Sequence, residues 1–219
     1  MRVLVLLGPP GAGKGTQAKV LARDLGILHL ASGDLFRAEI AAGTPFGREA
    51  KTYLDRGALV PDELTVRMIV DRLSQPDAQA GVVFDGFPRT GPQAEALDAA
   101  LAKRGTRVEH AIYLDVPTEE LVRRLSSRWL CPEGHVYNTM ANPPRVPGEC
   151  DHDGKKLTQR DDDRPETVRA RLAQQLAPLY EVVDHYREQG NLSVIDGTQP
   201  IPAVSADILR LLRVGDRAA

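Results

Sequence analysis

Near the N-terminus, Gly8-Pro9-Pro10-Gly11-Ala12-Gly13-Lys14-Gly15-Thr16-Gln17 gathers the residue types needed to hold a polyphosphate. The glycines allow the backbone to turn back on itself, so that successive amides point inward at an anion. A helix starting directly after this loop adds the partial positive charge of its N-terminus. Lys14 supplies a point charge for the outer phosphates, and Thr16 a hydroxyl for a phosphate or its hydrated magnesium. Gly15 stands where the generic phosphate-loop pattern has Ser or Thr after the lysine. The motif is therefore recognised from the strand before it, the lysine and the helix after it.

Six arginines form a second constellation: Arg37, Arg89, Arg124, Arg128, Arg160 and Arg171, near Gly or Pro loops, at insertion boundaries or on helices entering a crevice. Singly, each reads as a solvated surface charge. Beside a lysine-bearing phosphate loop they suggest bidentate phosphate clamps. Asp85 closes an apolar strand, and in an open parallel sheet such a strand end lies at the ligand crevice. No covalent nucleophile stands out. None is needed if the acceptor is a phosphate monoester, whose second pKa of about 6 leaves an ionised oxygen at neutral pH. The chemistry would be in-line phosphoryl transfer between two bound anions.

A third cluster is Cys131, His135, Cys150 and Asp153, two short-spaced pairs joined by a long arm. Such pairs can meet as four ligands around a structural zinc, with His152 competing for the fourth place. A Cys131–Cys150 disulfide or free thiol pair, or a lid held by hydrogen bonds alone, are the other readings.

The elements that must position these groups follow from apolar runs and breakers. Arg2 to Leu7 reads as a buried strand, and Thr16 to Asp24 as a helix ended by Gly26. Ile27 to Ala31 is a second strand, with Ser32 as N-cap of a helix carrying Leu35, Phe36 and Ile40. Phe46 to Asp55 gives another short helix, and the polar stretch 35–60 reads as an inserted lobe. A helix opening at Pro61 and running through Leu73, and a separate one through Gln93 to Leu101, flank a strand at Gly81 to Asp85. Val108 to Val116 and Asn191 to Ile195 complete the strands, and a helix at Ile201 to Leu212 ends the pattern. This cadence predicts α/β architecture with a parallel sheet. Residues 127–163 interrupt it as a second insertion, with too few large apolar side chains to hold themselves together.

The chain has 219 residues, 42% of them hydrophobic, enough to bury a full core. A formal net charge of -2 gives no footing for a nucleic-acid or anionic-membrane binder. No apolar stretch approaches the ~20 residues of a membrane span, and Val3 to Leu7 is too short for a secretory signal. A cytoplasmic enzyme is the expectation.

Taken together, the motifs resemble the adenylate kinase family. The resemblance rests on residues 8–17, Ser32-Gly-Asp-Leu-Phe-Arg37, Gly57-Ala-Leu-Val-Pro-Asp-Glu63, Phe84-Asp-Gly-Phe-Pro-Arg-Thr90 with Gln93, and Asp115-Val-Pro117. It continues through Tyr137, Asn142-Pro-Pro144, Thr158-Gln-Arg-Asp-Asp-Asp163, Glu166-Thr-Val-Arg-Ala-Arg171 and Asp196-Gly-Thr198, in family order along the whole chain. It implies a P-loop nucleoside monophosphate kinase-like fold: a central five-stranded parallel sheet with two inserted lobes. The core would comprise 1–30, 61–126 and 164–219, the AMP-binding lobe 31–60, and a lid, stabilised by zinc, 127–163. The implied activity is reversible transfer from Mg-ATP to AMP giving two ADP, by a monomer.

By the same resemblance, ATP would meet Gly11, Ala12, Gly13, Lys14, Gly15, Thr16, Arg128, Val136, Tyr137 and Gln199. AMP would meet Ser32, Arg37, Ala58, Leu59, Val60, Gly86, Phe87, Pro88, Arg89 and Gln93. Arg160 and Arg171 would bridge toward AMP and the transferring group, Arg124 would be a further clamp, and Asp85 would orient magnesium-bound water. Asp162 and Asp163 would fix the lid's arginines. Ser32 replaces a commoner Thr, Gln199 a basic residue, and His135 the second cysteine of the commoner four-ligand lids. A kinase of UMP or CMP would share this chemistry and differ at the base pocket. A GTPase would need an Asn-Lys-x-Asp segment, which the sequence lacks, and a non-catalytic scaffold would be expected to have lost Lys14, Arg89 or Arg160.

Overall fold

The computed structural model describes residues 1–55, 59–140, 142–159 and 163–215, with backbone alone at 165, 166, 171, 214 and 215. Contacts divide the chain into two compact units, residues 1–116 with 175–219, and residues 117–174.

The first unit is built on a parallel sheet of β1 (Arg2–Leu7), β2 (Leu28–Ala31), β3 (Gly81–Asp85), β4 (His110–Asp115) and β7 (Leu192–Asp196), in the order β2-β3-β1-β4-β7. These are the five expected strands, with ends shifted by one or two residues. β1 lies at the centre, Leu6 opposite Asp85 on one side and Leu7 opposite Tyr113 on the other. Because strand side chains alternate between faces, the buried run at 3–7 serves two layers. Val3, Val5 and Leu7 share a core with Val82, Phe84, Ala111 and Tyr113. Onto that core α4 (Asp62–Leu73) adds Met68, Ile69 and Leu73, and α5 (Gly91–Ala102) adds Ala94, Leu97 and Leu101. On the other layer α1 (Lys14–Leu25) packs against α8 (Ile201–Gly215). Buried Gln17 ties the two, donating to the Ile201 carbonyl at 3.1 Å and accepting from Ser205 Oγ at 2.7 Å.

Between β2 and α4 lie α2 (Ser32–Ala41) and α3 (Pro45–Leu54), which pack on each other with Phe36 and Phe46 stacked at 5.9 Å. Ser32 is not the N-cap that the sequence suggests: Ala31 occupies that position, and Ser32 is the first helical residue. Its hydroxyl donates instead to the Gly86 carbonyl at 2.7 Å, a tertiary partner that outcompetes a local cap.

The helix α7 (Pro165–Glu188) is a further departure, since the sequence reading carries no element there. Pro178 lies inside it, and proline ordinarily marks a break. Leu179, Val182, Val183 and Tyr186 nevertheless fall at helical spacing and join the core. Their burial offsets the amide hydrogen bond that proline cannot make.

In the second unit, α6 (Thr118–Ser126) precedes a two-stranded antiparallel ribbon of β5 (Arg128–Leu130) and β6 (Val136–Asn138). Trp129 lies opposite Tyr137. Thr158 bridges to Leu130 through paired backbone hydrogen bonds of 2.8 and 2.9 Å, closing the segment on itself. No described helix is long and apolar enough to cross a membrane.

Candidate active site and metal cluster

β1 runs into the phosphate loop, and α1 begins at Lys14 with Gly13 in the left-handed conformation as its N-cap. No side chain caps this helix, so its first amides face the loop's concavity, where an anion would satisfy them. Lys14 Nζ donates to the carbonyls of Gly8 at 2.7 Å and Pro9 at 3.0 Å, which fold the ammonium back over the loop. Thr16 is exposed on the first turn.

Gly15 owes its identity to a neighbour. A β-carbon there would lie 3.0 Å from Oδ2 of Asp85, tighter than ordinary contact. The side chain that the generic motif places after the lysine is thus displaced by a carboxylate from the end of β3. Burial works against ionising Asp85, yet hydrogen bonding with His29 and the charges of Lys14, His29 and Arg89 outweigh it, holding the carboxyl below its ordinary range. His29 Nε2 sits 3.5 Å from Asp85 Oδ2 and is buried, with no closer polar partner among the described residues. The sequence reading missed His29, because a lone histidine in a short strand carries no spacing signal.

Gly86 follows with φ of 73°, a left-handed value open to glycine, and a β-carbon there would meet Arg89 Nη2 at 2.9 Å and Ser32 Oγ at 3.2 Å. Its carbonyl accepts from Ser32 Oγ and from Arg89 Nε, each at 2.7 Å. Arg89 N donates to Gln93 Oε1 at 2.8 Å, while Gln93 Nε2 donates to Asp62 Oδ1 at 2.6 Å. Thr90 Oγ1 donates to Asp62 Oδ2 at 2.9 Å. Ser32, Gly86, Arg89 and Gln93 are thus brought together as expected, with Asp62 as a connector that the sequence did not reveal. Leu59 and Val60 are described at the start of α4's approach, Val60 buried. The Phe87 ring turns into the core beside Phe84, at 5.8 Å, so Phe87 and Pro88 offer backbone rather than a ring to a ligand. Arg37 is exposed and paired with Asp34. Gln199 Nε2 donates to Asp196 O and Asp207 Oδ2, both at 3.2 Å.

Within the unit 117–174, Arg128 makes a two-pronged pair with Asp163, at 2.8 and 2.5 Å. Asp163 is 0% exposed, so the guanidinium is fixed by a buried carboxylate. Arg124 pairs with Glu120 at 2.8 Å. Ala58, Arg160 and Asp162 lie outside the described residues, and of Arg171 the helical backbone alone is described.

The donor atoms of Cys131, His135, Cys150 and Asp153 all lie within 4.8 Å of one another. Cys131 and Cys150 are buried free thiols, without the disulfide. Cys131 Sγ donates to Asp153 Oδ2 at 3.0 Å, and His135 Nδ1 lies 3.3 Å from Cys150 Sγ. Burial and the Asp153 carboxylate push the Cys131 thiol up to about 11. In return that thiol, aided by the Lys155 amide, holds Asp153 well below the carboxylate range. His152 stacks on the His135 ring at 4.4 Å and is not one of the four converging donors. Two thiols, an imidazole and a carboxylate at this separation suit tetrahedral zinc. The Tyr137 ring is buried in this cluster and its hydroxyl reaches Cys150 Sγ, so the residue has its backbone rather than its ring to offer a ligand, while neighbouring Val136 is 49% exposed.

A five-stranded parallel sheet, with a lysine-bearing glycine loop leaving its central strand for a helix N-terminus, defines a P-loop nucleotide phosphotransferase. Residues 6–191 match the family model described as adenylate kinase. An adenylate kinase of Moorella thermoacetica is 50% identical over 213 residues, covering 95% of this chain and 97% of that protein. Those of Agathobacter rectalis and Brevibacillus brevis are 48% and 47% identical, covering 95% and 96% of this chain and 98% and 99% of theirs. The chain belongs to the adenylate kinase family.

Proposed function

We propose that the phosphate loop, the Asp85 carboxylate and the Gly86–Gln93 network are the chemical centre of the adenylate kinase reaction in this chain. The chain is an ATP:AMP phosphotransferase: it moves the terminal phosphoryl group of Mg-ATP to AMP, reversibly, giving two ADP. The observation that carries the residue assignment is Lys14, its ammonium held by the Gly8 and Pro9 carbonyls beside an uncapped helix N-terminus, with Asp85 against Gly15.

In this reading the amides of residues 11–16 and the Lys14 ammonium receive the ATP phosphates. Thr16 and Asp85 would hold magnesium, which would supply charge neutralisation for the ATP phosphates. Ser32, Arg37, residues 58–60, the turn 86–89 and Gln93 receive AMP; the Asp62 bond to Gln93 leaves that amide in one orientation. Arg124, Arg128, Arg160 and Arg171 meet phosphate charge, Val136 and the backbone of Tyr137 flank ATP, and Gln199 lends a carbonyl. The AMP phosphate attacks as an ionised oxygen, so no protein base is required.

Residues 31–60 act as the AMP lobe and 127–163 as a lid, on a core of the remaining segments. The lid carries a structural zinc on Cys131, His135, Cys150 and Asp153, a reading supported by their convergence. A phosphoryl-transfer site must exclude water, and lid motion limits turnover. The enzyme works as a cytoplasmic monomer.

The test is Mg-ATP-dependent phosphorylation of AMP, CMP, UMP and GMP side by side. Strong preference for AMP, abolished by Lys14→Ala, is expected. Equal turnover of a pyrimidine acceptor overturns the substrate assignment, and AMP phosphorylation retained at the wild-type rate in Lys14→Ala overturns the loop's role.

A further inference from the structure

The phenol of Tyr137 is an unusual group to find where it lies. It is 4% exposed and packed with Cys131, Cys150 and Leu157, with Trp129 against them, in the small core of the segment 127–163. A buried phenol needs partners for both its lone pair and its proton. Its oxygen accepts from the backbone amide of Asp151 at 2.7 Å. That contact directs the hydroxyl proton to its other neighbour, Cys150 Sγ, at 3.5 Å. Tyr137 is thus bound to both Cys150 and the residue after it, Asp151.

We propose that Tyr137 is a positioning residue for the metal cluster: its hydroxyl donates to the Cys150 sulfur and fixes that ligand's orientation and electron density. The inference rests on the metal reading of the four-donor cluster. A sulfur bound to a cation keeps lone pairs, and a hydrogen bond to one of them withdraws charge and restrains rotation about the Cβ–Sγ bond. The same side chain stands on β6 opposite Trp129. One residue along the same ribbon, Arg128 pairs with Asn138. The hydroxyl therefore links the Cys150 turn to the strand pair that carries a proposed phosphate arginine. Metal occupancy and the register of Arg128 become two readings of one local structure.

The experiment loads the full-length protein with Co2+, whose thiolate charge-transfer absorption reports the sulfur's electron density. Tyr137→Phe keeps the ring and deletes the donor. Expected are a shift of the sulfur-to-cobalt band to lower energy and release of Co2+ to a chelator about tenfold faster. Leu157→Ala loosens the same small core without removing a hydrogen bond to sulfur, and its band stays where the wild type's is. Fluorotyrosine at 137, a stronger donor with every packing contact retained, shifts the band to higher energy and serves even where Tyr137→Phe fails to fold. A band unmoved by fluorotyrosine, or by a folded Tyr137→Phe, overturns the inference while leaving the metal site intact. A folded wild-type protein that shows no thiolate–cobalt band overturns the metal reading and this inference together.

Discussion

The phosphate loop stands on a sheet whose neighbouring strands and helices bury more than twenty apolar side chains, whereas the knuckles of 127–163 enclose Cys131, Tyr137, Cys150 and Leu157 with Trp129 against them. In the first region the apolar scaffold is rigid enough that charged groups are steered by backbone carbonyls and close approach, as with Lys14 and Gly15. In the second, charged and polar side chains are themselves the scaffold: Asp163 locks Arg128, and the four donors and Tyr137 form the interior. The difference teaches that a segment with little to bury needs strong directional contacts, and the proposed metal would matter to it in a way it would not to the sheet.

The largest effect that sharpens this contrast is Lys14→Ala. It should lower kcat/KM about 10³-fold or more, roughly 4 kcal/mol of transition-state stabilisation, with the melting temperature nearly unchanged because the ammonium hydrogen-bonds to the Gly8 and Pro9 carbonyls of its own loop. A coupled ADP assay and a thermal melt check both; a large melting shift would mean that the lysine is part of the scaffold. Next is metal removal. With metal at a hundred times its Kd, chelation should cost about 2.7 kcal/mol, read as faster amide exchange in 127–163 with the five sheet strands unaffected. Uniform loss across both units would break the comparison.

Asp163→Asn follows, at about 2 kcal/mol, because a charge-assisted pair is replaced by a neutral amide facing Arg128. Chemical denaturation monitored at Trp129, the chain's one tryptophan, checks it. The smallest effect concerns pH. Asp85 is held below its unfolded value, so its contribution to stability is present above the ordinary carboxylate range and is lost as pH falls through its folded value. Removing the Lys14 charge raises the folded value toward the unfolded one, so acid unfolding of Lys14→Ala should begin at a higher pH. Identical acid limbs would show that Lys14 does not act on Asp85.

Much of this was legible in the sequence. Four of the five strands announce themselves as apolar runs ending at Gly or Asp, and the glycine loop identifies the end of the sheet where chemistry belongs. The four converging donors, Cys131, His135, Cys150 and Asp153, were readable as two short-spaced pairs. What escaped depended on where single side chains turn. Ser32 looks like a cap until Gly86 is seen across from it. Phe87 and Tyr137 sit in ligand-facing motifs, yet their rings point inward. α7 was hidden by Pro178 and a charged N-terminal half, although the spacing of Leu179, Val182, Val183 and Tyr186 carried the helical period. His29 and Asp62 act through residues far away in the chain, which no local pattern encodes.

The contact between Gly15 and Asp85 has a bearing on engineering. Grafting the commoner Ser or Thr into position 15 is a change at two sites, because the new β-carbon claims the space of a carboxylate 70 residues downstream. A side chain at position 15 asks the Asp85 carboxylate to yield by a few tenths of an ångström, and that carboxylate belongs to the proposed chemical centre, so the two positions should be exchanged and redesigned as one unit.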